Sequence, residues 1–304
     1  MGLLVAVGGG ELRGDEPSWG VPTLGGRQFW SDVHFFHDWR IQQHVLTGHY
    51  RLLDDDDGRH ASGRLDECVN ALGDIRRTHQ LAPMSGKAVV FVHGILRSAK
   101  SFDAMAETLD QAGYLTLGFT YPSTRITIPA AADNLARALA SLEGVEEIHF
   151  VGHSMGGLVV RAYLAKQPDP RCTSLVMLGV PNQGADLAAS MGGNPLFRLL
   201  YGPAGQQLAT GDDCFAESLP TPKFPFAIIS GGRGDGRGYN PLIAGDNDGT
   251  LAVECTRLAG AADFLTVSCM HSFLPSDDEA IAATLHFLEH GRLRAHGPPQ
   301  PIRE

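Results

Sequence analysis

From Lys87 onward the chain alternates short apolar runs with stretches in which apolar residues recur every three to four positions. The runs cover residues 88–92, 115–120, 148–152, 174–178, 226–230 and 264–267. They are continuously apolar rather than alternating, the pattern of strands covered on both faces and so of a parallel sheet. Helical periodicity fills residues 103–112, 130–142 and 155–166, and a last helix is expected over 277–290. Pro129 suits a helix first turn, and Ser276 with Glu279 has capping-box spacing before the last helix. This alternation predicts an α/β fold, a mostly parallel central sheet with helices on both faces.

Residues 1–86 have a different texture, rich in Gly, His and aromatics, with an acidic run at 54–57. Residues 39–45 and 49–53 flank Thr47-Gly48, a hairpin pattern, and 65–77 reads as a helix. The expected organisation is an N-terminal extension over 1–86 whose antiparallel strands add an edge to the core. The α/β core then covers 87–290, with a tail at 291–304.

Composition narrows the function. A chain of 304 residues suits one large α/β domain. Its net charge of −10 argues against a nucleic-acid partner, which needs a basic footprint. The five cysteines include no CxxC pair, which favours a reduced, cytoplasmic setting while leaving a single disulfide open. The apolar start at residues 1–7 lacks a basic flank and falls short of the roughly 18 residues of a spanning helix.

The chemistry centres on Gly152-His153-Ser154-Met155-Gly156-Gly157. Gly-x-Ser-x-Gly arises by chance in a chain with 37 glycines. Here, however, an apolar strand runs into it and an amphipathic helix leaves it. A sharp strand-to-helix turn exposes the serine oxygen, tolerates only glycine at its flanks and places developing negative charge at a helix N-terminus. Ser154 is therefore the expected nucleophile. The segment resembles the nucleophile elbow of bacterial lipases and related esterases of the α/β-hydrolase superfamily, and the resemblance runs from about Lys87 to the end of the last helix.

That resemblance implies the remaining parts. The first core strand ends in His93-Gly94-Ile95, where the family supplies an oxyanion-hole N–H, so Ile95 and Met155 are the expected backbone donors. His93 comes too early for the Ser, acid, His order and is expected to fix the loop. Asn247-Asp248-Gly249-Thr250 resembles the segment carrying the triad acid, which maps onto Asp248, with Asp246 and Asp235 as competitors. His271, between the last strand and last helix, is the expected base, while His286 and His290 read as helix-surface residues. The implied activity is hydrolysis of a small-molecule carboxylic ester through an acyl-enzyme, with no cofactor and no metal. Residues 185–222 form a long connection containing Leu187, Met191, Leu196, Phe197, Leu199, Leu200, Tyr201 and Phe215. They are expected to form a lid, favouring an apolar acyl group. A membrane or lipid interface stays open. So do amide hydrolysis or acyl transfer on the same triad, and a hydrolase-like binding protein without turnover. The histidines at 34, 37, 44, 49 and 60 fit no closed zinc spacing.

Overall fold

The computed structural model describes residues 26–166, 168–185, 202–208 and 214–303. Most of the expected lid, including Leu187, Met191, Leu196, Phe197, Leu199, Leu200 and Tyr201, lies outside them.

Six strands form the central sheet: β5 (Gly86–Val92), β6 (Leu115–Phe119), β7 (Val145–His153), β8 (Cys172–Leu178), β9 (Phe226–Gly231) and β10 (Asp263–Val267). All pair in parallel, in the order β10-β9-β8-β7-β5-β6. Successive side chains of each strand feed opposite faces. Val90 and Val92 enter one apolar cluster while Val89 and Phe91 enter the other, and β8 and β9 divide in the same way. Both faces are covered, so both sets are apolar, and the runs read as continuous in the sequence. Helices α3 (Ile128–Leu139) and α4 (Met155–Leu164) cover the first face. Helices α2 (Asp103–Gln111) and α5 (Asp278–His290) cover the second.

The last helix begins one residue later than the capping pattern predicts. Asp277 is its cap, accepting from the Ala280 N–H, while the Ser276 hydroxyl donates to the Phe273 carbonyl. The tail beyond Gly291 packs back on the core. Leu293 N and Arg294 bond Asp263, and Ile302 exchanges main-chain hydrogen bonds with Gly260 and Ala261.

The N-terminal strands correct one expectation. β1 (Trp30–Phe36), β2 (Trp39–His44), β3 (Tyr50–Leu53) and β4 (Arg59–Gly63) form their own antiparallel meander, backed by α1 (Leu65–Thr78), and do not extend the central sheet. The β2–β3 hairpin pairs Arg40 with Leu53 and Gln43 with Tyr50, and Gly48 supplies the left-handed turn at φ +74°. Its junction with the central sheet is one residue, Asp32. The Asp32 N–H donates to the Thr120 carbonyl, but the Thr120 N–H is taken by the Asp32 carboxylate at 2.6 Å rather than by a strand carbonyl. A side chain terminates the ladder where a seventh strand would continue it.

The strand order reverses direction at β5 and β7: the chain passes from β5 to β6 on one side and then to β7 on the other. The carboxyl ends of these two strands flank the crevice where ligands bind in open α/β sheets. They carry His93-Gly94-Ile95 and His153-Ser154.

Candidate active site

Ser154 sits between the last residue of β7 and the first of α4, at φ +52° and ψ −129°. This left-handed conformation is strained for a residue with a side chain, costing about 1–3 kcal/mol. The surroundings enforce it. A Cβ on Gly156 would stand 2.0 Å from the Val92 carbonyl oxygen, and one on Gly152 would stand 2.6 Å from the Gly157 Cα. On Gly157 it would meet Val180 at 2.2 Å. The helix behind the serine thus presses against β5 and the turn after β8, and three glycines make that approach possible. The Ser154 N–H donates to the Leu178 carbonyl, closing the turn onto β8.

The two other side chains predicted for the site arrive from distant loops. His271 opens the turn after β10, and its Nε2 lies 3.0 Å from Ser154 Oγ. Its Nδ1 lies 2.6 Å from Asp248 Oδ2. The other Asp248 oxygen accepts from the N–H groups of Thr250 (2.9 Å) and Leu251 (2.7 Å). The carboxylate is therefore held from both sides with its side chain wholly buried. An acceptor at Nδ1 selects the tautomer with its proton on that nitrogen, leaving Nε2 free to take the serine proton. The main chains are linked as well, since the His271 N–H donates to the Asp248 carbonyl at 2.9 Å. Gly231 and Gly179 give this assembly room. A Cβ on the first would lie 2.8 Å from Asp248 Cβ, and one on the second 3.1 Å from His271 Nδ1.

The competing acids are used elsewhere. Asp246 accepts from the N–H groups of Arg233, Gly234 and Asn247, and Asp235 accepts from those of Arg237 and Gly238. Both shape the glycine-rich loop. Among the histidines of the N-terminal region, His60 bonds Asp54, and His44 stacks on His49 with Thr47 bridging their Nδ1 atoms.

His93 is a loop-fixing group. Its Nδ1 donates to the Gly94 carbonyl, its Nε2 accepts from the Tyr121 N–H, and the Tyr121 hydroxyl donates to its carbonyl. Complete burial pushes its imidazole down to about 4, so it stays neutral in this arrangement. Three residues on from His93, Leu96 has φ +59°, and its N–H is held by Ser123 Oγ. Between them the Ile95 N–H has no protein acceptor among the described residues. The Met155 N–H, first of helix α4, has no intrahelical acceptor either. A Cβ on Gly94 would lie 3.0 Å from Ser154 Cβ, so this loop runs directly over the serine.

Three contributors escape sequence reasoning. Asn247 is fully buried, and its amide nitrogen lies 3.1–3.3 Å from the carbonyls of Arg237, Asn240, Ile243 and Gly245. It ties the long loop into the shape that presents Asp248. Arg161, two turns along α4 from Ser154, is buried and donates to Asn182 Oδ1 and the Leu219 carbonyl. It braces the base of the connection after β8. His153 lies against His271. For Asn247 the only sequence signal is its place beside Asp248; Arg161 and His153 carry none, because their partners are remote in the chain.

Comparison with known proteins agrees with this architecture. The sequence model of the alpha/beta hydrolase fold matches residues 87–205. The human lysosomal thioesterase PPT2 is 28% identical over 149 residues, 41% of this chain and 46% of that protein. Its bovine counterpart is 26% identical over 147 residues, 40% and 45% of the two chains. This chain thus spans just under half the length of these curated relatives. Among solved structures, the lipase BlEst2 of Bacillus licheniformis superposes in its propeptide form with a TM-score of 0.54 at 19% identity, over 73% of this chain and 54% of that one. The mature form gives 0.50 at 20% identity, over 68% and 93%. At such identities the likeness is one of fold. Together with the parallel sheet, its strand order and the serine turn after β7, it shows that the chain adopts an α/β-hydrolase fold.

Proposed function

We propose that the protein hydrolyses carboxylic esters by a serine mechanism, with Ser154 as nucleophile, His271 as base and Asp248 as its orienting acid. The observation that carries this reading is the unbroken relay from Ser154 Oγ through His271 to Asp248, with the serine held in a strained turn. Ser154 Oγ attacks the acyl carbon while its proton passes to His271 Nε2. The tetrahedral oxyanion is received by the N–H groups of Ile95 and Met155. Its collapse breaks the ester bond, and the alcohol leaves with the proton held by His271. Water then adds to the acyl-enzyme, giving its proton to the same nitrogen, and Ser154 is released with the free acid. Asp248 holds the imidazole tautomer and stabilises the imidazolium, and removing one oxyanion donor raises the barrier by about 2.7–4 kcal/mol. The chemistry needs no metal or organic cofactor.

Two features bear on the substrate. The resemblance to a thioesterase brings thioesters within the same acyl-transfer chemistry. The apolar content of the connection after β8 favours an apolar acyl group. The test is a series of p-nitrophenyl esters and acyl thioesters of rising chain length, with wild type beside Ser154→Ala. Turnover that disappears in the variant supports the reading, and the length profile defines the acyl group. Folded wild type that is inert toward both series and toward a fluorophosphonate would instead favour the binding-protein alternative. Fluorophosphonate labelling without ester or thioester turnover would point to amide or acyl-transfer substrates.

A further inference from the structure

His153 is a buried imidazole beside the triad that the mechanism above does not use. It is 2% exposed, and its ring centroid lies 4.9 Å from that of His271. Its Nε2 lies 2.9 Å from the His271 carbonyl oxygen. A carbonyl only accepts, so the proton of neutral His153 is on Nε2 and Nδ1 carries a bare lone pair. That lone pair is buried and has no partner among the described residues. It faces the oxyanion loop, where a Cβ on Gly94 would come within 3.3 Å of it. An unpaired buried acceptor is unfavourable, and an apolar side chain would fill the volume without one. What the imidazole adds is the Nε2 donor.

The consequence appears in how His271 is held. Its N–H donates to the Asp248 carbonyl and its C=O accepts from His153, both at 2.9 Å. The base is thus tied through its own main chain to the acid on one side and to the neighbour of the nucleophile on the other. The 3.0 Å contact between Nε2 and Ser154 Oγ joins side chains from two separate loops, and these two bonds tie the His271 main chain to its neighbours on either side of it. We infer that His153 is a positioning residue that sets the distance between His271 and Ser154 through the Nε2–H to the His271 carbonyl, an inference that rests on the serine mechanism proposed above. Protonation at Nδ1 would bring a second cation beside the imidazolium formed during attack. Burial and the nearby His271 and Arg97 hold its imidazole well below the ordinary histidine range, so the donor tautomer persists.

The experiment compares His153→Leu, which removes the donor, with His153→Gln, whose terminal amide reaches about as far as Nε2. We would measure kcat and KM on the ester that wild type turns over best, the rate of fluorophosphonate labelling, and thermal melting. Misplacing a reacting group by about 1 Å costs up to about 100-fold. His153→Leu should therefore lose about 10- to 100-fold in kcat and in labelling rate with KM little changed, and His153→Gln should recover most of both. Should the leucine variant not fold, His153→Met takes its place as the donor-free comparison. Equal labelling in wild type and the donor-free variant overturns the inference. So does an equal loss in the donor-free and glutamine variants, which would mark packing alone. Labelling of wild type is the control that separates the two questions. If wild type does not label, the serine mechanism itself fails; if it labels and the donor-free variant labels as fast, only the role of His153 fails.

Discussion

At the scale of single residues, the site is a set of close approaches that glycine permits and hydrogen bonds fix. Asp248→Asn isolates one of them. The amide keeps the volume and accepts from Thr250 and Leu251, but its NH2 group would face His271 Nδ1 and favour the wrong tautomer. We expect kcat to fall by about 10³–10⁴-fold with little change in melting temperature, measured on the ester that wild type turns over best. An undiminished kcat would remove Asp248 from the mechanism. Gly94→Ala tests the oxyanion loop. Its methyl would sit 3.0 Å from Ser154 Cβ and 3.4 Å from the His153 carbonyl, so the loop must give by a few tenths of an ångström. A kcat loss of about 10-fold or more with the fold intact is expected, since the Ile95 N–H moves with the loop. The parts of the site that could be read from sequence are those in local motifs: Ser154 with its strand and helix, His93-Gly94-Ile95, and Asp248 in its turn. His153, Asn247 and Arg161 could not be read, because each acts on a partner defined only by the folded chain. His153 reaches across 118 positions to His271.

At the scale of elements, the central strands and helices follow from apolar periodicity because burial on both faces dictates it. The N-terminal meander followed less well. Its β2–β3 hairpin is marked by Thr47-Gly48, whereas β1, with buried Ser31 and Asp32 inside it, breaks the apolar pattern of a strand. Asp32 is the reason that β1 stops at the central sheet. Its carboxylate accepts from Gln42 Nε2 at 2.8 Å and from the Thr120 N–H. Burial pushes its pKa up from 3.8 to about 6, against the pull of Arg40 and the Thr120 N–H. Between about pH 4 and 6 the folded chain keeps a proton that the unfolded chain has released. The Asp32 contribution to stability therefore falls as pH rises through that window, by roughly 3 kcal/mol in full, and stays low above it. Asp32→Asn has no charge to bury. Relative to wild type, its stability in urea should rise between pH 4 and pH 7, whatever constant offset the lost acceptor introduces. A difference that does not vary with pH would mean that the carboxylate ionises at its ordinary value.

At the scale of the whole molecule, the question is whether the N-terminal meander is an attachment or part of the folding unit. Its apolar side chains Val33, Phe35, Phe36, Ile41 and Leu52 belong to the same continuous cluster as Leu135, Phe150 and Leu158 of the α/β core. β1 packs along α3, where the Phe35 N–H donates to Ser141 Oγ, and Arg137 reaches Gln43 and Tyr50. Full burial of a large apolar side chain contributes about 1.5–3 kcal/mol. The five residues named thus amount to about 7–15 kcal/mol, the size of the net stability of an entire domain. Sequence texture sets residues 1–86 apart, but the cluster crosses that boundary. We therefore expect the full chain to melt in one cooperative transition. A variant beginning at Gly86 should fail to give a soluble, cooperatively melting protein, because α3 and β6 lose the strand packed against them. Circular dichroism melting and size-exclusion chromatography of the two forms decide it. A truncated chain that melts sharply and labels with fluorophosphonate at the full-length rate would show the meander to be dispensable. Two transitions in the full chain would show that it folds apart from the site it flanks.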